Sequence, residues 1–98
     1  MEELRGKDRR FLRARGNTMQ VHVQVGHKGI TKSIVRMVED QLDEHELIKL
    51  KLHKNLSPKR KALAVELAEL SDAELIQVFG NAILLYKAKN PPGIKLPE

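Results

Sequence analysis

Between residues 21 and 42 the chain changes its hydrophobic period, and that change limits the available folds more than any other feature. Val21, Val23 and Val25 alternate with His22 and Gln24, whereas Ile30, Ile34, Val38 and Leu42 recur every four residues. A period of two belongs to a half-buried strand and a period near four to an amphipathic helix. The switch occurs across Gly26-His27-Lys28-Gly29. The middle of the chain is therefore a strand, a glycine turn and a helix running to about Asp43, the seed of an α/β fold.

The flanking segments extend this order. Leu4 to Arg15 reads as a helix with Leu4, Phe11 and Leu12 on one side and arginines around the rest. Gly16 and Asn17 close it, as residues tolerant of a left-handed C-terminal turn. Leu47, Ile48, Leu50 and Leu52 form a second strand, with Lys49 and Lys51 on its opposite face. Ser57-Pro58 offers an N-cap oxygen and a first-turn proline for a third helix through Leu63, Leu67 and Leu70, broken at Ser71-Asp72. Leu75 to Phe79 and Ala82 to Lys87 flank Gly80-Asn81, a two-residue hairpin turn. Asn90-Pro91-Pro92-Gly93 stops regular structure, so residues from about 88 to 98 are expected to be an extended tail. The order is α-β-α-β-α-β-β, and a strand-helix-strand centre implies a parallel crossover within a mixed four-stranded sheet covered by helices.

With 98 residues the chain makes a single domain around one modest core. It has no cysteine, which removes disulfides and thiolate metal sites. The histidines His22, His27, His45 and His53 lack metal-ligand spacing, and HELIK from His45 lacks the second histidine of a zincin. No serine has an adjacent base and no carboxylate pair is set for proton transfer, so no enzyme, cofactor or small-molecule substrate is expected. No run is apolar enough for a membrane or a signal peptide, and a cytoplasmic monomer is the expectation.

The net charge of +5 favours an anionic partner, and its distribution says more. Residues 5–15 hold six arginines and lysines against Asp8, and residues 49–61 hold six with no acid. Glu39, Asp40, Asp43, Glu44 and Glu46 form an acidic block between them. The only aromatic rings of Phe and Tyr type are Phe11, Phe79 and Tyr86. Base-stacking platforms use several rings, so a grip on backbone and shape is expected more than one on splayed bases. Lys59-Arg60-Lys61 at a helix start opposes the macrodipole, a local conflict that hints at function.

The glycine turn lies at the carboxyl end of a strand and the amino end of a helix, where α/β sheets bind ligands. Helix-start amides attract anions, glycine lets backbone approach a phosphate closely, and Lys28 and Lys32 add charge. A strand-to-helix turn also uses glycine for purely structural reasons. The sequence is neither a P-loop nor a dinucleotide fingerprint.

Four blocks in order, LRGKDRRFLRARG, VQVGHKGIT, EHELIKLKL and AELIQVFGNAILLYK, resemble the CRM (chloroplast RNA splicing and ribosome maturation) family in its single-domain bacterial YhbY form. The resemblance runs from about Leu4 to Pro97. It implies an RNA-binding α/β fold similar to the carboxyl domain of translation initiation factor three. In bacteria the family is linked to precursors of the large ribosomal subunit, and in plant organelles to group II intron splicing. The surface so implied comprises Gly26, His27, Lys28 and Gly29 in the loop, Lys7, Arg9, Arg10 and Arg13 on the first helix, and Lys49 and Lys51 on the second strand. Lys32 joins it from the residue reading. The family carries a basic residue directly after the first glycine, where this chain has His27, mostly neutral near pH 7. Its usual proline ahead of the first strand is replaced near Val21. The expected partner is ribosomal RNA of the precursor large subunit. The alternative is a protein-interaction module whose basic face meets an acidic protein.

Overall fold

A computed structural model describes residues 3–98 of the chain. Helix α1 (Gly6–Asn17) leads to strand β1 (Val23–Val25), helix α2 (Lys32–His45), strand β2 (Leu47–Leu52), a 3-10 segment (Lys54–Lys59), helix α3 (Arg60–Leu70) and the hairpin β3 (Glu74–Phe79) and β4 (Ala82–Tyr86). The sheet order is β1-β2-β4-β3. β1 and β2 are parallel and the other pairs antiparallel, so the mixed four-stranded α/β architecture expected from the sequence is present.

Strand alternation divides the interior into two layers. On one face Val23, Val25, Ile48, Leu50, Leu52, Ile83 and Leu85 pack against Val38 and Leu42 of α2 and Ala64 and Leu67 of α3. On the other, Leu47, Leu84, Tyr86 and Ile76 pack against Leu12 of α1 and Ile94 of the C-terminal segment. Lys49 and Lys51 share the α1 side with Leu47, as alternation requires. β3 carries an irregularity: Leu75 pairs with Leu85 but Gln77 with Leu84, so Ile76 is an extra residue in the strand.

Several local expectations change. α1 ends at Asn17 with Thr18 as an αR C-cap, not in a left-handed turn. Gly16 is buried inside the helix, where a Cβ would stand 2.7 Å from Leu84 Cδ2. Its missing side chain sets how closely α1 approaches the sheet. β1 begins at Val23, because the His22 ring takes over part of the pairing: its Nδ1 accepts the Lys49 N–H at 3.0 Å. α2 begins at Lys32 and runs two residues past Asp43. Ser57 is not the cap of α3. It lies within the 3-10 segment and donates its hydroxyl to Asn81 Oδ1 on the hairpin turn, while α3 starts at Arg60.

The C-terminal residues have no regular structure, as expected, yet they are docked. Ile94 is buried against Leu12 and Tyr86, with Leu96 packed beside it. Glu46, buried with φ +66°, receives the amides of Lys89 at 3.4 Å and Gly93 at 2.5 Å on its carboxylate. A buried carboxylate requires such donors, and through them Glu46 anchors the segment.

Candidate nucleic-acid interface

The loop after β1 is a tight turn: the Gly29 amide donates to the Gly26 carbonyl at 2.9 Å. Gly29 has φ +75°, a left-handed conformation that favours glycine. It is buried over Leu56 of the 3-10 segment, whereas Gly26, His27 and Lys28 project into solvent. The His53 amide donates to the Val25 carbonyl at 2.8 Å, extending the ladder past β2. This brings the His27 and His53 rings to 6.2 Å in an edge-on arrangement.

The amides beyond the turn are not all bare. Thr31 caps α2, its hydroxyl accepting the Ile34 N–H at 3.2 Å, which satisfies one of the helix-start donors. The helix therefore starts three residues after Gly29, not directly at Ile30. Lys32 is exposed on its first turn, which carries no acid. Lys54, exposed at the start of the 3-10 segment beside His53, adds a cation that motif reading did not select.

The sheet lysines adjoin this corner. Lys51 pairs with Gln24 of β1 and Ala82 of β4, and both Lys51 and Gln24 are exposed. Lys49 is half-buried. Its Nζ donates to the Met19 carbonyl at 3.3 Å and stands 5.5 Å from the centroid of the Phe79 ring.

The first-helix cations are divided. Arg9 donates to the Leu75 carbonyl at 3.1 Å and pairs with Glu74 at 3.2 Å. Lys7 donates to the Glu98 carbonyl, and Arg5 pairs with Asp8 at 2.9 Å and reaches the Pro97 carbonyl. The Arg5 side chain and amide hold the Asp8 carboxyl below the usual range for aspartate. Glu74 pairs with Tyr86, and Tyr86 with Leu47 at the start of β2. The glycine turn lies past Leu52 at the other end of that strand, about 17 Å away along its rise. Lys7 and Arg9 thus stand at the far end of the sheet with intramolecular partners. Gly16 touches Leu84, and Met19 meets Lys49, so α1 runs toward the lysines as it proceeds. Arg10 is exposed and Arg13 half-exposed along that course.

The CRS1/YhbY (CRM) domain model matches residues 4–87. The chain belongs to the CRM family. It is 34% identical over 95 residues to the "Probable RNA-binding protein YqeI" of Bacillus subtilis, covering 96% of this chain and 99% of that one. It is 26% identical over 98 residues to a protein of Haemophilus influenzae named "RNA-binding protein", covering 100% of this chain and 99% of the other. The solution structure of the hypothetical protein SAV1595 from Staphylococcus aureus superposes with a TM-score of 0.82 at 34% identity, over 97% of this chain and 100% of that one.

On this CRM domain the histidines form pairs that their spacing in sequence conceals. His22 lies 4.8 Å from His45, centroid to centroid. Burial, and then the neighbouring His45, push the His22 pKa below its ordinary value. With Nδ1 accepting from Lys49, a neutral His22 carries its proton on Nε2. Arg60, read with its neighbours as a functional cluster, turns back to donate to the Ser57 carbonyl at 3.0 Å. That contact satisfies the 3-10 segment preceding α3.

Proposed function

We propose that this CRM domain, spanning the 98-residue chain, is an RNA-binding protein that docks as a monomer on ribosomal RNA of the precursor large subunit in the cytoplasm. The observation that carries the reading is the solvent-facing turn Gly26-His27-Lys28, bordered by Lys32, Lys51 and Lys54 with no acid in the first turn of α2. A phosphate fits such a corner: glycine admits close approach, backbone dipoles favour the anion, and ammonium groups supply the charge. Gly29 serves by holding the left-handed turn, while Gly26, His27 and Lys28 make the contact. Lys49 and Lys51 continue the cationic surface across the sheet, and Arg10 and Arg13 extend it along α1. Lys7 and Arg9 support the fold at the other end and contribute only to the general field. Relatives matched over the full length of the chain are named RNA-binding proteins, which supports the RNA part of this reading.

Gly26→Asp tests the loop. A Cβ at Gly26 meets nothing within 4 Å and its backbone is not left-handed, so the fold is retained, and the carboxylate repels a phosphate. Electrophoretic shift with precursor large-subunit RNA should show binding lost in this variant while circular dichroism stays unchanged. Unaltered affinity refutes the loop's role. For the wild type, log affinity should fall by about 0.7 to 0.9 per phosphate contact per decade of salt, and a flat salt response refutes a backbone grip. Crosslinking in cells with sequencing of the bound RNA identifies the target. A protein partner that survives nuclease treatment, with no RNA recovered, would favour the protein-interaction alternative.

A further inference from the structure

We infer that the uncovered part of the sheet's α1 face, built on Phe79, Lys49 and Lys51, is a stacking site for one unpaired nucleobase of the bound RNA. The inference rests on the RNA reading and deepens it, because the aromatic content of the sequence argued for a grip on backbone and shape more than on splayed bases. α1 covers only half of this face: its last turns meet Leu84, and the helix ends at Asn17. The next row across the sheet is Gln24, Lys51, Ala82 and Phe79, joined by the pairs Gln24–Lys51, Lys51–Ala82 and Ala82–Phe79. Three of these four are exposed and Ala82 is half-exposed.

The ring reaches this row through the irregularity in β3. Leu75 and Val78 both pack in the α2/α3 layer although they are separated by an odd number of positions. In a regular strand Phe79 would share the face of Leu75 and enter that core. The extra residue at Ile76 reverses the alternation and turns Phe79 toward the lysines. Bulges re-aim side chains in this way and concentrate beside functional sites. Phe79 stands 36% exposed on an edge strand, opposite the small Ala82, which lets Lys49 lean across β4 to its ring.

A large apolar ring and one ammonium group in the row, a second ammonium from Lys49 in the row beside it, and no carboxylate among them match the chemistry of a nucleotide. The ring offers its π face to a base of any identity, and Lys49 and Lys51 neutralise the flanking phosphates. The glycine turn, reached from Gln24 through Val25, lies at the same end of the strands as Phe79, three strand spacings or about 14 Å across the sheet. One strand of RNA can therefore engage both.

The test uses fluorescein-labelled RNA, a twelve-nucleotide oligo(rA) strand and a twelve-base-pair duplex, read by anisotropy. Phe79→Ala should weaken oligo(rA) binding about tenfold and leave the duplex unchanged, since stacking contributes on the order of 1–3 kcal/mol per base. Phe79→Leu, which keeps apolar bulk, should lose as much. The chain contains no tryptophan. Phe79→Trp therefore introduces a single indole, whose emission should be quenched by oligo(rA) and not by the duplex. Equal loss for both RNAs, unchanged oligo(rA) affinity in Phe79→Ala, or an unquenched indole overturns the stacking site while leaving RNA binding intact. Failure of the wild-type chain to bind either RNA overturns the RNA reading and this inference with it.

Discussion

Replacing Gly16 by alanine should loosen the molecule even though alanine is the better helix former. A methyl group there would lie 2.7 Å from Leu84 Cδ2 and 3.1 Å from its Cγ. Leu84 is fully buried between its neighbours Lys49 and Gln77, so it cannot swing into solvent. Either α1 lifts from the sheet or Leu84 leaves its rotamer, an overpacking that costs about 1–3 kcal/mol. The gain in helix propensity returns at most about 1 kcal/mol. With the full gain subtracted, a net loss of up to about 2 kcal/mol remains, which lowers Tm by up to roughly 16 °C in a chain of this size. Urea unfolding followed by circular dichroism measures it, and a cycle with Leu84→Ala isolates the cause. Leu84→Ala alone costs about 2–5 kcal/mol through its cavity. The cavity accepts the new methyl, so the double variant should be more stable than the summed losses by about 1–3 kcal/mol. Additivity within about 0.5 kcal/mol, or a stabilised Gly16→Ala, would refute the close approach as the reason for glycine.

Other outcomes follow from single contacts. Thr31→Ala removes the cap of α2 and should cost about 1 kcal/mol, with Thr31→Ser largely restoring it in the same urea assay. The His22 pKa is depressed in the folded chain, so as pH falls through its ordinary value of about 6.5 the unfolded chain takes the proton first. The stability tied to this ring is fully present above that pH and declines below it. His22→Gln should flatten the difference in urea midpoint between about pH 7.5 and 5.5, and identical slopes in the two proteins would contradict the assignment. Arg9→Ala should lose under about 1 kcal/mol of stability, as expected of a partly exposed ion pair, and keep its RNA affinity. Arg13→Ala should keep its stability and reduce the salt slope by about one contact. The reverse pattern would mean that the division of α1 has been assigned backwards.

Where the information was local, the sequence was readable. β2 runs from Leu47 to Leu52 as its apolar pattern indicates, and the change of period at Gly26–Gly29 marks the junction between β1 and α2. What escaped depended on distant partners. Ser57 looks like a cap until Asn81, 24 positions away, takes its hydroxyl. Gly16 resembles a terminator because nothing nearby in the chain announces Leu84. The prolines and glycine at 91–93 signal correctly that regular structure stops, but not that Ile94 then fills the layer under α1. Charge periodicity placed arginines around α1, yet only the tertiary fold commits Arg9 to β3. Phe79 was hidden by a bulge, which no alternation pattern reveals until the register with β4 is known.

The two layers also separate the charges. Glu39, Asp40, Asp43 and Glu44 are exposed on the later turns of α2, across the sheet from Lys49 and Lys51. The acidic later turns of α2 disfavour approach of a polyanion from that side and the lysine face favours it, so within a screening distance of about 8 Å the orientation of the body is biased before contact. Landing orientation is therefore selected during diffusion, and salt should slow arrival more than it hastens departure.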